Sequence, residues 1–447
     1  MKVKVRKVFI RFFLVLLIVI AAALVLRAVL NYTEGRRLER TLADLKARGV
    51  PLSVADLTSP CPDESNAARL WKAAEELLAF DKNDAQVINL ANQAFMRGTA
   101  LAADQVGAVS RLIEKNRRAT ELVIEAAGKP CFQYGDPKVN AVVIDMPKAV
   151  EMLRASRLIV FDALFSAERG DVEGALKRLG AGFRFASKIT GEGPLIAGLV
   201  AIAEQKLFVF GLVRVAEGRA VETDLLLRAL QDFEPGTWKN LLFESLRGER
   251  VFFVDAGRLM FRGGPGGEEA LVGKIGLGEK LLLWLGRPLI KRDLIRGVLK
   301  YEDVEAQARR PFYETKGFLE EYEREITTLP WTAVLSRIAM PNIGAAFLKQ
   351  AALEALALAA RTGLACKIYR NQNGRYPADL AALVPGILPE VPVDPFTGKP
   401  LVYRLEGEGF IVYSLGSNEK DDGGRMTFEM TKLIMDKDDD WAWKESK

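Results

Sequence analysis

The chain has 447 residues and no histidine. That absence removes Ser-His-Asp and Cys-His nucleophilic machinery, histidine-bound zinc, and the side chain that most often serves as a general base near neutral pH. Cysteine is scarce: Cys61, Cys131 and Cys366 are the whole set. Three thiols cannot form a four-thiolate zinc site, and none are spaced Cys-x-x-Cys. Net charge is also small, +5, with basic residues scattered among acids, so nothing argues for a nucleic-acid partner. An enzyme here would have to work with carboxylates, Lys, Tyr or Ser alone. The sequence is therefore expected to be non-enzymatic.

Apolar residues make up 49% of the chain and charged residues 27%, enough for a large core and room for two or three domains. Residues 12–26 are all apolar. With Arg11 and Arg27 snorkelling at the edges, residues 8–30 extend roughly 34 Å as a helix, enough to cross a bilayer core of about 30 Å. Lys2, Lys4, Arg6, Lys7 and Arg11 precede the span, which predicts a cytoplasmic N-terminus, although Arg27, Arg36, Arg37 and Arg40 follow it. Ala21, Ala22 and Ala23 offer a small-residue cleavage site, but the apolar run continues through Leu24, Val25 and Leu26, which favours an uncleaved signal anchor. The expected location is the inner (cytoplasmic) membrane, single-pass, with the bulk of the chain on the periplasmic or extracytoplasmic side.

From about 35 to 340 the pattern is helical. Residues 66–80 place Leu70, Ala73, Ala74, Leu77 and Leu78 on one apolar face. Residues 147–168 and 172–189 read as a helix pair, with Gly170 closing the first and Asp171 capping the second. This pair is similar to one tetratricopeptide unit, with small residues where paired helices approach, but no strict 34-residue period follows. Residues 195–213 are interrupted by Glu204, Gln205 and Lys206 and read as a buried helix. The glycine-rich stretches 263–267 and 273–280 lack a Gly-Lys-Ser/Thr ending and read as loops.

A long helix is expected from about Asn342 to Arg370, with Leu353, Leu356, Ala360, Leu364 and Ile368 as its stripe. Asn371 to Gly374 should end it, and Pro377 should open a short helix. Asp394-Pro395 begins a turn that Gly398 closes, and residues 400–405 and 410–415 form a hairpin. An acidic segment, 416–424, and a second, 436–443, follow.

Several motifs in this region occur in a recognisable order: Tyr369-Arg370, Asn373-Gly374-Arg375-Tyr376-Pro377, Asp394-Pro395-Phe396, Gly398-Lys399-Pro400 and Tyr413-Ser414-Leu415-Gly416. Together they resemble the globular half of the major pseudopilin of type II secretion. The resemblance covers about residues 346–447 and implies a long helix, a short helix and a small antiparallel sheet. It also implies a structural calcium ion in the acidic loop, here with Leu415 (carbonyl), Asn418, Asp421 and Asp422, joined by Asp438, Asp439 or Asp440 from the terminal segment. Residues 8–30 contain no acidic residue and no prepilin-peptidase stretch, so the module sits on a different kind of anchor.

The expected fold class is mainly α. It comprises a cytoplasmic N-terminus (1–7), a transmembrane signal anchor (8–30), an exported helical-hairpin, tetratricopeptide-like domain (31–341) and a small α+β pseudopilin-like domain (342–447). The expected function is structural or protein-binding, with envelope or secretion proteins as partners. A tetratricopeptide-like adaptor and a carboxylate-dependent hydrolase are the alternatives, and the latter requires two acids some 5 to 10 Å apart. Cys61 and Cys131, in proline-flanked loops, are the pair expected to bridge if any pair does; Cys366 falls on an apolar helical pattern.

Overall fold

The computed structural model describes residues 2–97, 99, 101–142, 146–191, 193–262, 276–425, 428–429, 434–435 and 441–445. It is mainly helical, with a small three-stranded antiparallel sheet near the C-terminus. The 263–267 loop and residues 273–275 lie outside the described residues; Gly276 to Lys280 open a helix rather than continue a loop.

The apolar N-terminal run belongs to one uninterrupted helix, Lys2–Ala47. Its first part is exposed along residues 10–26, as a lipid-facing segment would be. Past residue 35 the pattern changes: Leu38 and Leu45 are buried and Leu42 half-buried, a stripe at spacings of four and three. That stripe packs on the helix Leu277–Ala308. Gly49, with φ of 75°, closes this N-terminal helix, and the Val50 amide returns to the Leu45 carbonyl at 3.0 Å. Among the described residues, two further segments are long and apolar enough to cross a membrane, Leu195–Ala216 and Val334–Asn373; both are mostly buried inside the protein.

The helix Ala67–Leu77 buries Ala67, Trp71 and Ala74, with Leu70 and Leu78 only half-covered, while Ala73 and Leu77 face solvent. Trp71 decides the rotation, because the largest apolar side chain packs inward, 6.0 Å from the Phe185 ring. The helices Ala149–Glu168 and Val172–Ser187 are joined as expected: Gly170 has φ of 93°, and Asp171 accepts from the Gly174 amide at 2.8 Å. The small residues, however, serve a third helix. A Cβ on Gly182 would lie 2.3 Å from the Phe208 ring, and one on Gly211 would lie 2.7 Å from Leu179. Leu195–Ala216 packs against both members of the pair and is buried almost throughout, including Glu204, Gln205 and Lys206.

Cys61 and Cys131 are bridged, their Cα atoms 5.9 Å apart, within the usual disulfide range. Beside the bridge, the Asn66 side chain accepts from the amides of Ala68 and Gln133, both at 2.9 Å, so one residue caps a helix and anchors a loop. Cys366 is buried and free, and burial pushes its thiol pKa up.

The long helix runs Ile343–Asn373 and ends at Gly374, whose φ is 74°. All five residues of the expected stripe are buried, but so are most of the others. The helix is sandwiched: the 195–216 and 223–232 helices lie on one side and the sheet on the other. One apolar core therefore runs from the helical body, through this helix, into the sheet. After Gly374 the expected short helix is reduced to a single 3-10 turn, Leu380–Leu383, capped by Asp379 rather than opened by Pro377.

The sheet order is β1 (Val402–Glu406), β2 (Gly409–Ser414) and β5 (Trp441–Glu445), with β2 central and buried throughout. The short strands β3 (Phe428–Glu429) and β4 (Ile434–Met435) pair separately. The register pairs Val402 with Tyr413 and Ser414 with Trp441. Phe410, Val412 and Trp443 face the long helix, where Gly363 leaves room for the indole: a Cβ there would lie 2.2 Å from it. Ile411, Tyr413 and Ala442 form a small cluster on the other face.

Candidate functional site

Asp394 anchors the region where the sequence motifs converge. It is 1% exposed, and its carboxylate accepts from the Phe396 amide at 2.8 Å, the Ser414 hydroxyl at 2.9 Å and the Leu415 amide at 3.0 Å. The turn closes through the Gly398 amide to the Asp394 carbonyl at 2.9 Å. One carboxylate thus fixes both the Asp-Pro-Phe turn and the end of β2. The turn docks on the helix Phe312–Thr327: the Phe312 and Phe396 rings meet edge to face at 5.4 Å, and Lys316 donates to the Phe396 carbonyl and to Glu419.

The acidic loop begins at Gly416 and folds back over the outer face of β2. Gly424, with φ of 77°, lies so close that a Cβ would sit 2.2 Å from Ile411. Asp421 is exposed but tied to the sheet. Its Oδ1 accepts from the Tyr413 hydroxyl at 2.7 Å and the Gly423 amide at 3.0 Å, and Arg404 donates to the same hydroxyl at 2.7 Å. The Tyr413 bond, chiefly, holds the Asp421 carboxyl below its ordinary pKa, while burial first and then Asp421 push Tyr413 up to about 12. Asn418 donates to Asp422 Oδ2 at 2.9 Å, and its carbonyl oxygen accepts from the Lys420 amide at 2.9 Å.

Of the six expected calcium ligands, the structure brings Leu415, Asn418, Asp421 and Asp422 into one loop; Asp438 and Asp440 lie outside the described residues, as does Asp439. The pairing of Ser414 with Trp441 returns the chain to the sheet end where the loop starts. The donors are hard oxygens of the kind calcium takes, and the four residues reach the lower limit of six only if both carboxylates bind through both oxygens. Among the described residues, no three Cys, Asp or Glu side chains are gathered closely enough to hold a metal ion.

A cleft of about 340 Å³ opens where the helical body meets the turn region, lined in part by Arg309, Arg310, Tyr313, Glu390, Pro392 and Pro395. Its walls combine rigid proline with cationic and aromatic side chains. Glu204, whose pKa burial raises to about 7 against the pull of its 2.6 Å bond from Ser156, lines no cleft described here.

The sequence did not disclose Asp394 as the hub, nor the pairing of Lys367 with Glu445. A signal existed for the second: Lys367 interrupts an otherwise apolar helical run between Cys366 and Ile368. No family model, curated protein or solved structure matches the chain.

Proposed function

We propose that the protein is a non-enzymatic, membrane-anchored envelope protein that presents a pseudopilin-like C-terminal region for protein contacts, within a type II secretion or pilus-like assembly. The observation that carries this reading is the Cys61–Cys131 bridge, which lies beyond the apolar span. Disulfides persist in oxidising compartments, so the bulk of the chain is assigned to the extracytoplasmic side. A long helix laid on a three-stranded antiparallel sheet, with the motif residues at its turns, supports the family resemblance. The proline-walled cleft is the contact site in this reading, and the acidic loop is the seat of a structural calcium ion shared with the terminal aspartates.

Photo-crosslinking in native membranes tests the proposal. A crosslinker at Val393, exposed on the cleft rim, is expected to capture an envelope protein reproducibly. Recovery of the uncrosslinked chain alone would count against it.

A further inference from the structure

The helix Leu277–Ala308 runs parallel to the anchor helix. Trp284 meets Arg27, Lys291 meets Asn31, Arg292 meets Glu34 and Glu302 meets Arg48, so both numbers rise together. The lowest of these contacts is the most specific. Arg27 donates to the Trp284 carbonyl, and its guanidinium lies 3.4 Å from the centre of the Trp284 ring. Arg27 is the residue at which the apolar run ends. The seven residues before Trp284 therefore continue past Arg27 toward the span, by up to about 10 Å at ~1.5 Å per residue.

Among those residues Leu277, Leu281 and Leu282 are apolar and exposed, while Glu279, which accepts from the Gly276 amide at 2.7 Å, and Lys280 interrupt the run. Leu277, Leu281 and Leu285 are spaced by four and share one face, with Leu282 beside them; Leu277 is 87% exposed, Leu282 69% and Leu281 55%. The opposite side carries Leu283, which packs on the protein core. A leucine stripe of this kind, pointing away from the body, has no place in water. Above it sits a basic collar: Arg287 lies close enough to Arg27 and Lys291 to act on both electrostatically. Tryptophan at the boundary, leucines below and cations above is the layering of a bilayer surface, with acyl chains under phosphates.

We propose that the leucine face of residues 277–285, formed by Leu277, Leu281, Leu282 and Leu285, enters the outer leaflet beside the span with Glu279 on the opposite side of the helix, so that the protein holds the membrane at two points rather than one. The inference rests on reading residues 8–30 as a membrane span. The lipid is selected over a protein partner by continuity, because the stripe extends from the contact with Arg27 and toward the same end of the molecule as the exposed apolar stretch of the anchor. A second point of attachment fixes the rotation of the body about the anchor axis, which one helix alone leaves free.

The test uses the full chain, in vesicles of phosphatidylethanolamine and phosphatidylglycerol, with a bimane label on Leu282→Cys, on Leu281→Cys, or on Val25→Cys in the span. The native thiols do not compete, since two are bridged and Cys366 is buried. Doxyl-labelled lipids should quench both leucine positions to an extent comparable with Val25, while aqueous iodide should leave them bright. Quenching at Val25 with iodide access at Leu281 and Leu282 overturns the inference and leaves the span intact. Shielding of the leucines from both quenchers also overturns it, and identifies a second copy of the chain or another segment as the cover. Loss of lipid quenching at Val25 itself removes the span and the inference together.

Discussion

Lys367 on the long helix and Glu445 on the last strand form an ion pair of 2.5 Å, with both side chains 6% exposed. Glu445 also accepts from the Gly218 amide at 3.2 Å and from the Trp443 indole at 3.2 Å. One carboxylate therefore ties the final strand to the long helix and to the turn after the 195–216 helix. Buried pairs of this kind are weak net stabilisers, but removing one partner strands the other charge.

Lys367→Met is accordingly expected to cost about 3–5 kcal/mol. The double variant Lys367→Met/Glu445→Gln should recover much of that loss, since glutamine keeps an acceptor for Gly218 without a buried charge. Denaturation of the single and double variants measures the difference. Equal stability of the two would show that Glu445, left without Lys367, carries no penalty for its charge.

The part of the fold that sequence disclosed was the part set by local chemistry. Gly374 and Gly170 stop helices because the left-handed conformation is cheap only there, and Asp171 caps because its short carboxylate reaches the Gly174 amide. The hairpin 402–414 was legible from alternation and glycine. What stayed hidden depends on neighbours distant in sequence. Trp441–Glu445 follows an acidic run and gains its strand identity only by pairing with β2. Gly182 faces Phe208 rather than its hairpin partner, a choice no local pattern encodes. At the candidate site, Asn418, Asp421 and Asp422 were visible as acidic-loop residues. The bond from Tyr413 to Asp421 was not, because it needs the loop folded back over the sheet.

Glu204 gives a pH prediction. Burial raises its pKa from 4.5 to about 7, so the folded chain binds this proton more tightly than the unfolded chain does. The favourable contribution is complete below pH 4.5 and is lost as pH rises toward 7; at about 1.4 kcal/mol per pH unit the loss is roughly 3 kcal/mol. Lys206, lowered to about 7 by burial and then by Lys349, acts at the other end: its cost of staying charged is relieved as pH rises from about 7 toward 10.5. Glu204→Gln retains a partner for the Ser156 hydroxyl and removes only the acid limb. Melting temperature followed from pH 4.5 to 7 should fall in the native chain and stay flatter in the variant. Parallel curves would mean that Glu204 does not titrate in this range.

The calcium proposal separates two residues that sequence treats alike. Asp421 already has a structural task, holding Tyr413 and the Gly423 amide, whereas the described side-chain contact of Asp422 is with Asn418 alone. In the EDTA-treated full chain, Asp421→Ala should therefore lower the melting temperature, leaving the hydroxyl of the buried Tyr413 to Arg404 alone, while Asp422→Ala should change little. Added calcium at millimolar concentration should then stabilise the native chain. An extracytoplasmic site of ordinary affinity, saturated some tens of times over its dissociation constant, contributes roughly 2 kcal/mol. Neither variant should show that gain, because each removes a carboxylate without which the described loop falls below six oxygens. The Asp438→Ala/Asp440→Ala variant should also lose the gain if the terminal segment completes the shell. A calcium shift that survives both loop substitutions would place the ion elsewhere, and no shift in the native chain would leave the loop as an acidic flap over β2, held by Tyr413 and Lys316 without a metal.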